Sequence, residues 1–308
     1  MPSGVRPGRP LLDALRDGVI TADGGMGTRI YEAGVVFSAN YEELCLSRPD
    51  LVRRIHEEFI SAGAQLIETN TFGANAVRLA RHGLDDKVRD INLAAVRIAR
   101  SAGGTRAYVA GAIGPSGLLF DDVAGQADRL RDAFRAQAEA LAEASVDAIL
   151  IETMRHPNEL YIAIDAVRAA LSGSGIALIA QVSIDEDLAM ADGTGIVAVA
   201  DQMKGRGADV IGVNCSTGPQ DVFAAVEKIV SLGIPVSAMP NAGLPRRVDD
   251  RLMYVATPEY FGIAARRLFK LGVRIVGGCC GTTPEHIRRI AAATPSSCTT
   301  RSPACRSP

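Results

Sequence analysis

The sequence of 308 residues predicts one α/β domain folded as a (β/α)₈ TIM barrel. Short apolar runs recur along the chain, a helical segment follows each of them, and eight such units fit into just under 300 residues. A hydrophobic content of 47% is enough to bury a large core. A doubly wound open sheet is the structural alternative, but no G-x-G-x-x-G stretch follows the first apolar run.

The eight predicted strands are continuously apolar, which is typical of parallel strands that are buried on both faces. In chain order they cover residues 18–25, 64–73, 107–117, 147–154, 176–184, 209–218, 234–243 and 273–281.

The predicted helices carry start and stop signals. The helix over residues 49–63 begins with Pro49 and Asp50 and ends at Gly63. Four later helices also have a proline in the first turn: Pro157, Pro219, Pro258 and Pro284. The remaining predictions are helices over residues 86–101, 127–145, 157–171, 195–206, 219–231, 258–271 and 284–293.

The two ends of the chain differ from the barrel in composition. Residues 1–11 are interpreted as an N-terminal extension, and residues 12–293 form the barrel. Residues 294–308 are rich in Ser, Thr and Pro and lack large apolar side chains, so they are expected to be a disordered tail. Cys298 and Cys305 in this tail are expected to be incidental.

Composition excludes several function classes. The net charge of −2 gives no basic field, so neither nucleic acid nor a membrane is an expected partner. The N-terminus does not read as a signal peptide, and no apolar run reaches the ~20 residues of a membrane span. A core of this size needs no disulfides, so its six cysteines are expected to be reduced thiols in a cytoplasmic protein.

Polar residues gather where the predicted strands end. Active sites of (β/α)₈ barrels are built at the carboxyl ends of the strands. Seven of the eight strands carry such residues at that end: Asp23, Glu68, Asn70, Glu152, Ser183, Asn214, Cys215, Asn241, Cys279 and Cys280.

The adjacent cysteines of the stretch "GGCCG" need an explanation. Side chains alternate along a regular strand, but the flanking glycines permit dihedral angles that would turn both sulfurs of Cys279 and Cys280 onto one centre. Cys215 lies two strands away, and three converging thiolates with a vacant fourth position are typical of a catalytic zinc site. From spacing alone, buried small residues and a strained vicinal disulfide remain alternatives, and Cys45 is read as a buried small residue.

Several stretches carry a family resemblance: "DGGMGT" (23–28), "IETNTFGAN" (67–75), "AILIETM" (148–154), "GVNCSTGP" (212–219), "MPNAGLP" (239–245) and "GGCCGTTPEHI" (277–287). Over residues 12–293 the chain resembles the homocysteine S-methyltransferases, a family of zinc-dependent barrels. It is most similar to the homocysteine-binding module of cobalamin-dependent methionine synthases. It is also similar to the N-terminal half of bifunctional proteins with a methylenetetrahydrofolate reductase half.

The resemblance implies that Cys215, Cys279 and Cys280 are the catalytic zinc ligands and that the homocysteine thiol completes the tetrahedron. The chemistry agrees, because a free thiol with a pKa of about 8.5 is mostly protonated at neutral pH and attacks a methyl carbon poorly. Coordination to Zn²⁺ removes that proton, and three anionic ligands keep the substrate sulfur nucleophilic for attack on a donor methyl group.

The substrate's amino-acid group also needs partners. The resemblance implies that Asp23 and Glu152 bind its ammonium group, although Asp23 could simply form a turn and Glu152 could structure the barrel mouth. Backbone N–H groups of Gly24 and Gly25, with the Ser183 hydroxyl, could bind the carboxylate. Asn214 is included among the substrate-binding residues. Glu68 and Asn70 are expected either to shape the floor of the pocket or to cap loops. Solvated or capping roles are expected for the four histidines, His56, His82, His156 and His286.

The methyl donor is expected to come from outside the barrel, because residues 12–293 are used up by the barrel itself. Methylcobalamin, supplied by a separate domain or a corrinoid protein, is the first choice, and S-methylmethionine is the second. Two other functions compete with homocysteine methylation. One is methylation of another small thiol or selenol, and the other is a zinc- or redox-responsive binding protein without turnover.

Overall fold

Eight parallel strands form the centre of the computed structural model, which describes residues 8–248 and 251–295. The strands are β1 (Ile20–Thr21), β2 (Leu66–Glu68), β3 (Tyr108–Ile113), β4 (Ala148–Met154), β5 (Ala177–Val182), β6 (Val210–Cys215), β7 (Val236–Pro240) and, as the eighth barrel strand, β10 (Ile275–Val276). Hydrogen bonding runs in the order β1-β10-β7-β6-β5-β4-β3-β2. An isolated parallel bridge between Ala22 and Leu66 joins the two ends, so the predicted barrel is confirmed.

The eight predicted helices are present, and each end lies within two residues of its predicted position. They are α4 (Pro49–Ser61), α6 (Val88–Gly103), α8 (Ala127–Glu143), α9 (Pro157–Ala170), α10 (Ile196–Gly205), α11 (Pro219–Ile229), α12 (Pro258–Leu271) and α13 (Pro284–Ala292). The five helices expected to start with proline all do so, because the missing N–H of proline is one that a first turn leaves unbonded anyway.

Several short elements were not predicted. They are the helices α1 (Leu11–Asp17), α2 (Met26–Glu32), α3 (Leu44–Ser47), α5 (Ala76–Leu79) and α7 (Phe120–Gly125), and an antiparallel hairpin of β8 (Arg246–Val248) and β9 (Arg251–Met253). Four of these helices and the hairpin lie in the loops that follow strands β1, β2, β3 and β7. Elements of one or two turns carry too little periodicity to be recognised in the sequence.

Helix α1 covers the amino-terminal end of the barrel. Leu11 and Leu15 are buried in one apolar cluster with residues that point into the barrel from its strands, among them Ile20 and Tyr108. The Tyr108 hydroxyl also donates a hydrogen bond to the carbonyl of Arg9 at 3.1 Å. Residues 1–7 and 296–308 lie outside the described residues, so the predicted extension, the predicted tail and Cys298 and Cys305 within it stay predictions.

Alternation along the strands decides which polar residues enter the barrel. Leu66, Leu150 and Val210 belong to the interior cluster, so Glu68, Glu152 and Asn214, two or four positions further on, point inward near the carboxyl end. The opposite face of each strand packs against the helices. The fold therefore brings these three polar side chains to one end of the barrel.

None of the helices in the described ranges has the length and the apolar composition needed to cross a bilayer. The cytoplasmic location stays a prediction.

Candidate active site and metal centre

Three thiols converge at the carboxyl end of the barrel. The sulfur atoms of Cys215, Cys279 and Cys280 all lie within 4.8 Å of one another, and all three are free cysteines. Cys215 is the last residue of β6, and the other two follow β10, with β7 lying between these strands. Within the described ranges this is the one cluster of His, Cys, Asp or Glu side chains whose atoms could hold a metal ion.

Cys215 reaches the centre through a strained turn. Cys215 and Ser216 both have left-handed backbone conformations, with φ values of 56° and 61°. Such residues cost on the order of 1–3 kcal/mol each and persist only where their surroundings hold them. The Ser216 hydroxyl accepts from the Ile184 N–H at 3.0 Å, and Asn241 Nδ2 donates to the Ser216 carbonyl at 2.8 Å and to Cys215 Sγ at 3.4 Å.

The adjacent cysteines sit in a tight loop between β10 and α13. The Cys279 N–H donates to the Pro240 carbonyl at 2.8 Å, which prolongs the pairing with β7. Gly281 follows with φ 79°, and a Cβ built there would lie 2.1 Å from the ring of Tyr254. Gly278 has no left-handed φ, but a Cβ there would meet the Thr282 side chain at 2.5 Å. Gly281 is therefore required both for its dihedral angle and for close packing, whereas Gly278 is required for close packing alone.

Hydrogen bonds among the three thiols shift their pKa values in opposite directions. Hydrogen bonds from Cys279 and Cys280 lower the pKa of Cys215 to about 3, although its burial opposes this. The same interaction with Cys215 raises the pKa of Cys280 to about 12 and that of Cys279 well above its ordinary value. One sulfur therefore carries a negative charge that two thiols stabilise, and a cation bound there would replace their protons.

Three carboxyl groups lie together beside the thiols. Burial, followed by the negative charge of Cys215, raises the pKa of Glu152 to about 7. Burial also raises the pKa values of Asp23 and Glu68 well above the usual range, and repulsion between the carboxylates adds to both shifts. Asp23 Oδ1 and Glu68 Oε1 are buried without a hydrogen-bond partner. Such a cluster favours a positively charged group at its centre.

A half-enclosed cavity of about 380 Å³ joins the thiols to these carboxyl groups. Of the predicted site residues, Gly24, Gly25, Glu152, Asn214 and the three cysteines line it, as do Glu68 and Asn70. Asp23 lies behind the lining, where its Oδ2 accepts from the Glu68 N–H at 3.0 Å.

Two of the predicted carboxylate-binding groups already have partners. The Gly25 N–H donates to Thr282 Oγ1 at 3.1 Å. Ser183 is not among the lining residues, and its hydroxyl accepts from the Ser216 N–H at 3.2 Å, next to the Cys215 turn. The hydroxyl of Ser183 therefore supports the turn at Cys215 and Ser216.

The histidines divide between confirmed and wrong predictions. His156 accepts from the Asn158 N–H as the N-cap of α9, and His286 completes a capping box with Thr283 at the start of α13. His82 is exposed at the rim of the cavity. The solvated or capping role expected for His56 is wrong, because it is fully buried within α4 and neither ring nitrogen has a partner. Its burial could not be recognised from the residues around it in the sequence.

Sequence reasoning missed Tyr254. It lies between the β8–β9 hairpin and α12, where its ring covers Gly281 and its hydroxyl interacts with Cys280. No pattern in "DRLMYVATPEY" marks this residue, because its partners lie about 25 positions further along the chain.

Comparison with known proteins identifies the family to which the chain belongs. A sequence model described as homocysteine S-methyltransferase matches residues 20–294, which is most of the chain. The chain belongs to the homocysteine S-methyltransferase family. The suspected resemblance is thereby confirmed.

Two relatives within this family are the methionine synthases of Mycobacterium leprae (strain TN) and Mycobacterium tuberculosis (strain ATCC 25618 / H37Rv). Each is 34% identical in an alignment of 299 positions, which covers 92% of this chain and 25% of the relative. The chain thus spans about a quarter of the length of these relatives. The metallated homocysteine methyltransferase MmuM from Escherichia coli has the same fold, with a TM-score of 0.73 at 24% identity over 91% of this chain and 99% of that one.

Proposed function

We propose that this chain methylates the thiol of homocysteine to give methionine, with Zn²⁺ held by Cys215, Cys279 and Cys280. The observation that carries the proposal is the convergence of three sulfurs at one end of a cavity whose other wall is acidic. Membership of the family supports methyl transfer to homocysteine.

The thiol cluster fits zinc in number and spacing. Zinc binds cysteine sulfur at about 2.3 Å, so sulfurs in a tetrahedron around it are about 3.8 Å apart. The three sulfurs here lie within 4.8 Å, so small adjustments would bring them to that spacing. When bound, Zn²⁺ lowers the pKa of a coordinated thiol and keeps the sulfur anionic near neutral pH.

The carboxyl cluster provides the partner for the substrate's ammonium group. Glu152 lines the cavity, and Asp23 lies directly behind it. Within the described ranges, neither of them forms an ion pair with a side chain of the protein, so a bound ammonium group would supply the missing positive charge. Homocysteine carries such a group two carbons beyond its thiol-bearing carbon, so one molecule spans both ends of the site.

The substrate's carboxylate is assigned to the backbone at Gly24 and Gly25, both of which line the cavity. Binding at Gly25 requires its N–H to exchange the Thr282 hydroxyl for the substrate. Ser183 and Asn214 are not assigned to direct contact with the substrate, because the hydrogen bonds of their side chains support the turns at Cys215 and Thr153.

Methylcobalamin on a corrinoid-carrying domain or protein is proposed as the methyl donor, with S-methylmethionine as the second choice. Methylcobalamin is far larger than a small sulfonium donor, so its methyl group would have to be presented from outside the cavity. The two methionine synthases that resemble this chain are about four times its length, which leaves room there for such a domain. S-methylmethionine is small enough to enter the cavity whole.

A donor assay tests the function and the ranking together. The zinc-loaded chain is incubated with homocysteine and with methylcobalamin, a methylated corrinoid protein or S-methylmethionine in turn, and methionine is measured. Methionine from a corrinoid donor is the expected result. Rapid formation from S-methylmethionine and none from methylcobalamin would reverse the ranking. Retention of zinc with no methionine from any donor would favour a zinc- or redox-responsive binding protein without turnover. Turnover of another thiol or selenol in preference to homocysteine would favour a methyltransferase with a different substrate.

The role of Glu152 is tested by Glu152→Gln. The variant should retain zinc, and its homocysteine affinity should fall by roughly 2–4 kcal/mol, the range for truncating one partner of a buried charge pair. Glu159→Gln is the matched control, because Glu159 is also a buried carboxylate but accepts from the N–H and hydroxyl of Ser116, away from the cavity. Calorimetric titration with homocysteine measures both. Unchanged affinity of Glu152→Gln, with reduced folding stability, would assign Glu152 a structural role.

A further inference from the structure

The end of strand β4 has an irregular backbone. Its pairing with β5 is regular up to Ile151, which faces Ala180, and shifts before Met154, which faces Val182. Within this irregularity Thr153 has a left-handed φ of 57°. A β-branched residue rarely adopts this conformation, which costs on the order of 1–3 kcal/mol unless its surroundings hold it. Glu152, the residue before it, is therefore displayed by a strained turn.

The side chain of Asn214 holds this turn from β6, which is separated from β4 by β5. Asn214 Oδ1 accepts from the Thr153 N–H at 2.7 Å, and Nδ2 donates to Thr153 Oγ1 at 2.8 Å. The same Nδ2 donates to Glu152 Oε2 at 3.0 Å. An amide side chain has two N–H donors and one carbonyl acceptor, so these bonds use both of its donors. The distance from Nδ2 to Cys279 Sγ is longer, at 3.9 Å.

These contacts argue against Asn214 as a direct ligand of the substrate. The residue is buried, with 1% of its surface exposed, and its donors already serve Glu152 and Thr153. A carboxylate or ammonium group of a substrate could bind it only by displacing those partners. An aspartate of the same shape could accept from the Thr153 N–H but could not donate to Glu152, and it would add a negative charge beside that carboxylate.

We propose that Asn214 is a positioning residue, which holds the left-handed turn at Thr153 and aims the Glu152 carboxylate into the cavity at the substrate's ammonium group. This proposal rests on the proposed function, since it takes Glu152 as the ammonium partner. It reassigns Asn214 from a substrate contact to a residue that acts through Glu152. It also explains why the side chain must be an amide, since the turn needs an acceptor and the carboxylate needs a donor.

The test is an Asn214→Asp variant in zinc-loaded protein, with two ligands. Homocysteine carries the ammonium group, and 4-mercaptobutanoate is the same molecule without it. The variant should retain its zinc and lose about tenfold or more in homocysteine affinity, on the scale of an unpaired buried charge. Its affinity for 4-mercaptobutanoate should stay close to that of the wild type, because that ligand makes no use of Glu152. In turnover, KM for homocysteine should rise more than kcat falls.

A double-mutant cycle separates action through Glu152 from an independent contact. Asn214→Asp combined with Glu152→Gln should bind homocysteine no more weakly than Glu152→Gln alone, because the positioned group is already neutral. Additive losses, or an equal loss for both ligands, would overturn the proposal. Asn92→Asp is the control: Asn92 is also a fully buried amide, which donates to the carbonyls of Ala74 and Val88 and should affect stability alone.

Two further outcomes are distinguishable. If the wild-type protein does not bind homocysteine, the proposed function fails and the role of Asn214 fails with it. If the wild type binds and Asn214→Asp binds equally well, only the role of Asn214 is overturned. Should Asn214→Asp not fold, Thr153→Gly is added, because glycine adopts a φ of 57° at little cost. The double variant should then fold and still bind homocysteine weakly, and wild-type affinity in it would overturn the proposal.

Discussion

At the residue scale, the site depends on side chains whose chemistry is set by their neighbours. The same thiol group has a pKa of about 3 in Cys215, which accepts from two other thiols, and of about 12 in Cys45, which is buried beside Asn70. Glu152 and Glu159 are both buried carboxylates, yet only the first faces the cavity. Residue type and burial together therefore do not separate these two positions, and the position of Glu152 at the cavity does.

The zinc assignment predicts that Cys215→Ala, Cys279→Ala and Cys280→Ala each lose most of the metal and all methyl transfer. Two remaining thiolates cannot complete the three-ligand site. Metal content per chain after dialysis, measured by atomic spectroscopy, checks this. Cys45→Ala is the matched control and should keep its zinc, since Cys45 lies outside the cluster. Full zinc retention in any of the three variants would contradict the ligand set.

His56 predicts a loss of stability in acid. Burial without a partner lowers its pKa from 6.5 to about 4, so the unfolded chain binds a proton more readily than the folded one. The stability that neutral His56 contributes is therefore fully present above pH 6.5. As the pH drops towards 4, the free energy of unfolding should fall by up to about 3 kcal/mol because of this residue. Urea unfolding of zinc-free protein at pH 7 and pH 4.5 measures it.

The control for His56 is a pair of variants. His56→Met should unfold with a smaller difference between the two pH values than the wild type, because methionine does not titrate. His82→Met should behave like the wild type, because His82 is exposed. An unchanged pH dependence in His56→Met would show that the acid sensitivity arises elsewhere.

At the element scale, the loops after the strands carry and position residues of the candidate site. The β10–α13 loop carries two of the three clustered thiols, and the segment after the β8–β9 hairpin packs Tyr254 onto it. The Ala242 N–H donates to the Cys280 carbonyl at 2.9 Å, so the β7–α12 connection also bonds to this loop directly. Two loops that are adjacent in space thus fix the position of Cys280.

This packing predicts a large effect of Gly281→Ala. The added Cβ would meet a left-handed φ of 79° and the Tyr254 ring at once, so we expect a loss of about 3 kcal/mol or more in the free energy of unfolding, with lower zinc occupancy. Gly83→Ala is the control, because Gly83 has a φ of 65° but no atom near the added Cβ. It should lose only about 1 kcal/mol. Equal losses in the two variants would contradict the role given to Tyr254.

At the scale of the whole molecule, the barrel brings together residues that are far apart in sequence. Cys215 and Cys279 belong to strands separated by β7, and Asp23 and Glu152 come from strands on different sides of the barrel. Parallel pairing of β1 with β10 puts Asp23 beside the loop of Cys279 and Cys280, and the bridge between Ala22 and Leu66 closes the barrel on the other side of β1. A ligand that contacts both the thiols and the carboxylates therefore links several strands of the closed barrel.

Zinc should therefore stabilise the fold by itself, and homocysteine should add further stability only when zinc is bound. Removing zinc with a chelator should lower the melting temperature, and homocysteine should raise it only in the zinc-loaded protein. At a hundredfold excess over Kd the expected gain is about 2.7 kcal/mol. Cysteine, which is one methylene shorter and cannot span the site in the same way, is the control ligand. Equal stabilisation of chelated and zinc-loaded protein by homocysteine would contradict the shared site.

Much of this protein is determined by the sequence itself. The eight strands, the eight long helices and the proline starts follow from local patterns, because the apolar period and the helix signals act within a few residues of each other. The three cysteines could be proposed as a set because each stands at the end of an apolar run, where the strands of a barrel bring their ends together.

Only the tertiary structure decided the rest. The α1 helix closes the barrel because Leu11 and Leu15 meet side chains from several strands, and His56 is buried because α4 packs inward. The left-handed turns at Thr153 and Cys215 exist because distant side chains, Asn214 and Asn241 among them, hold them. These features depend on contacts between residues far apart in the chain, which local periodicity cannot encode and which appear only when the barrel closes.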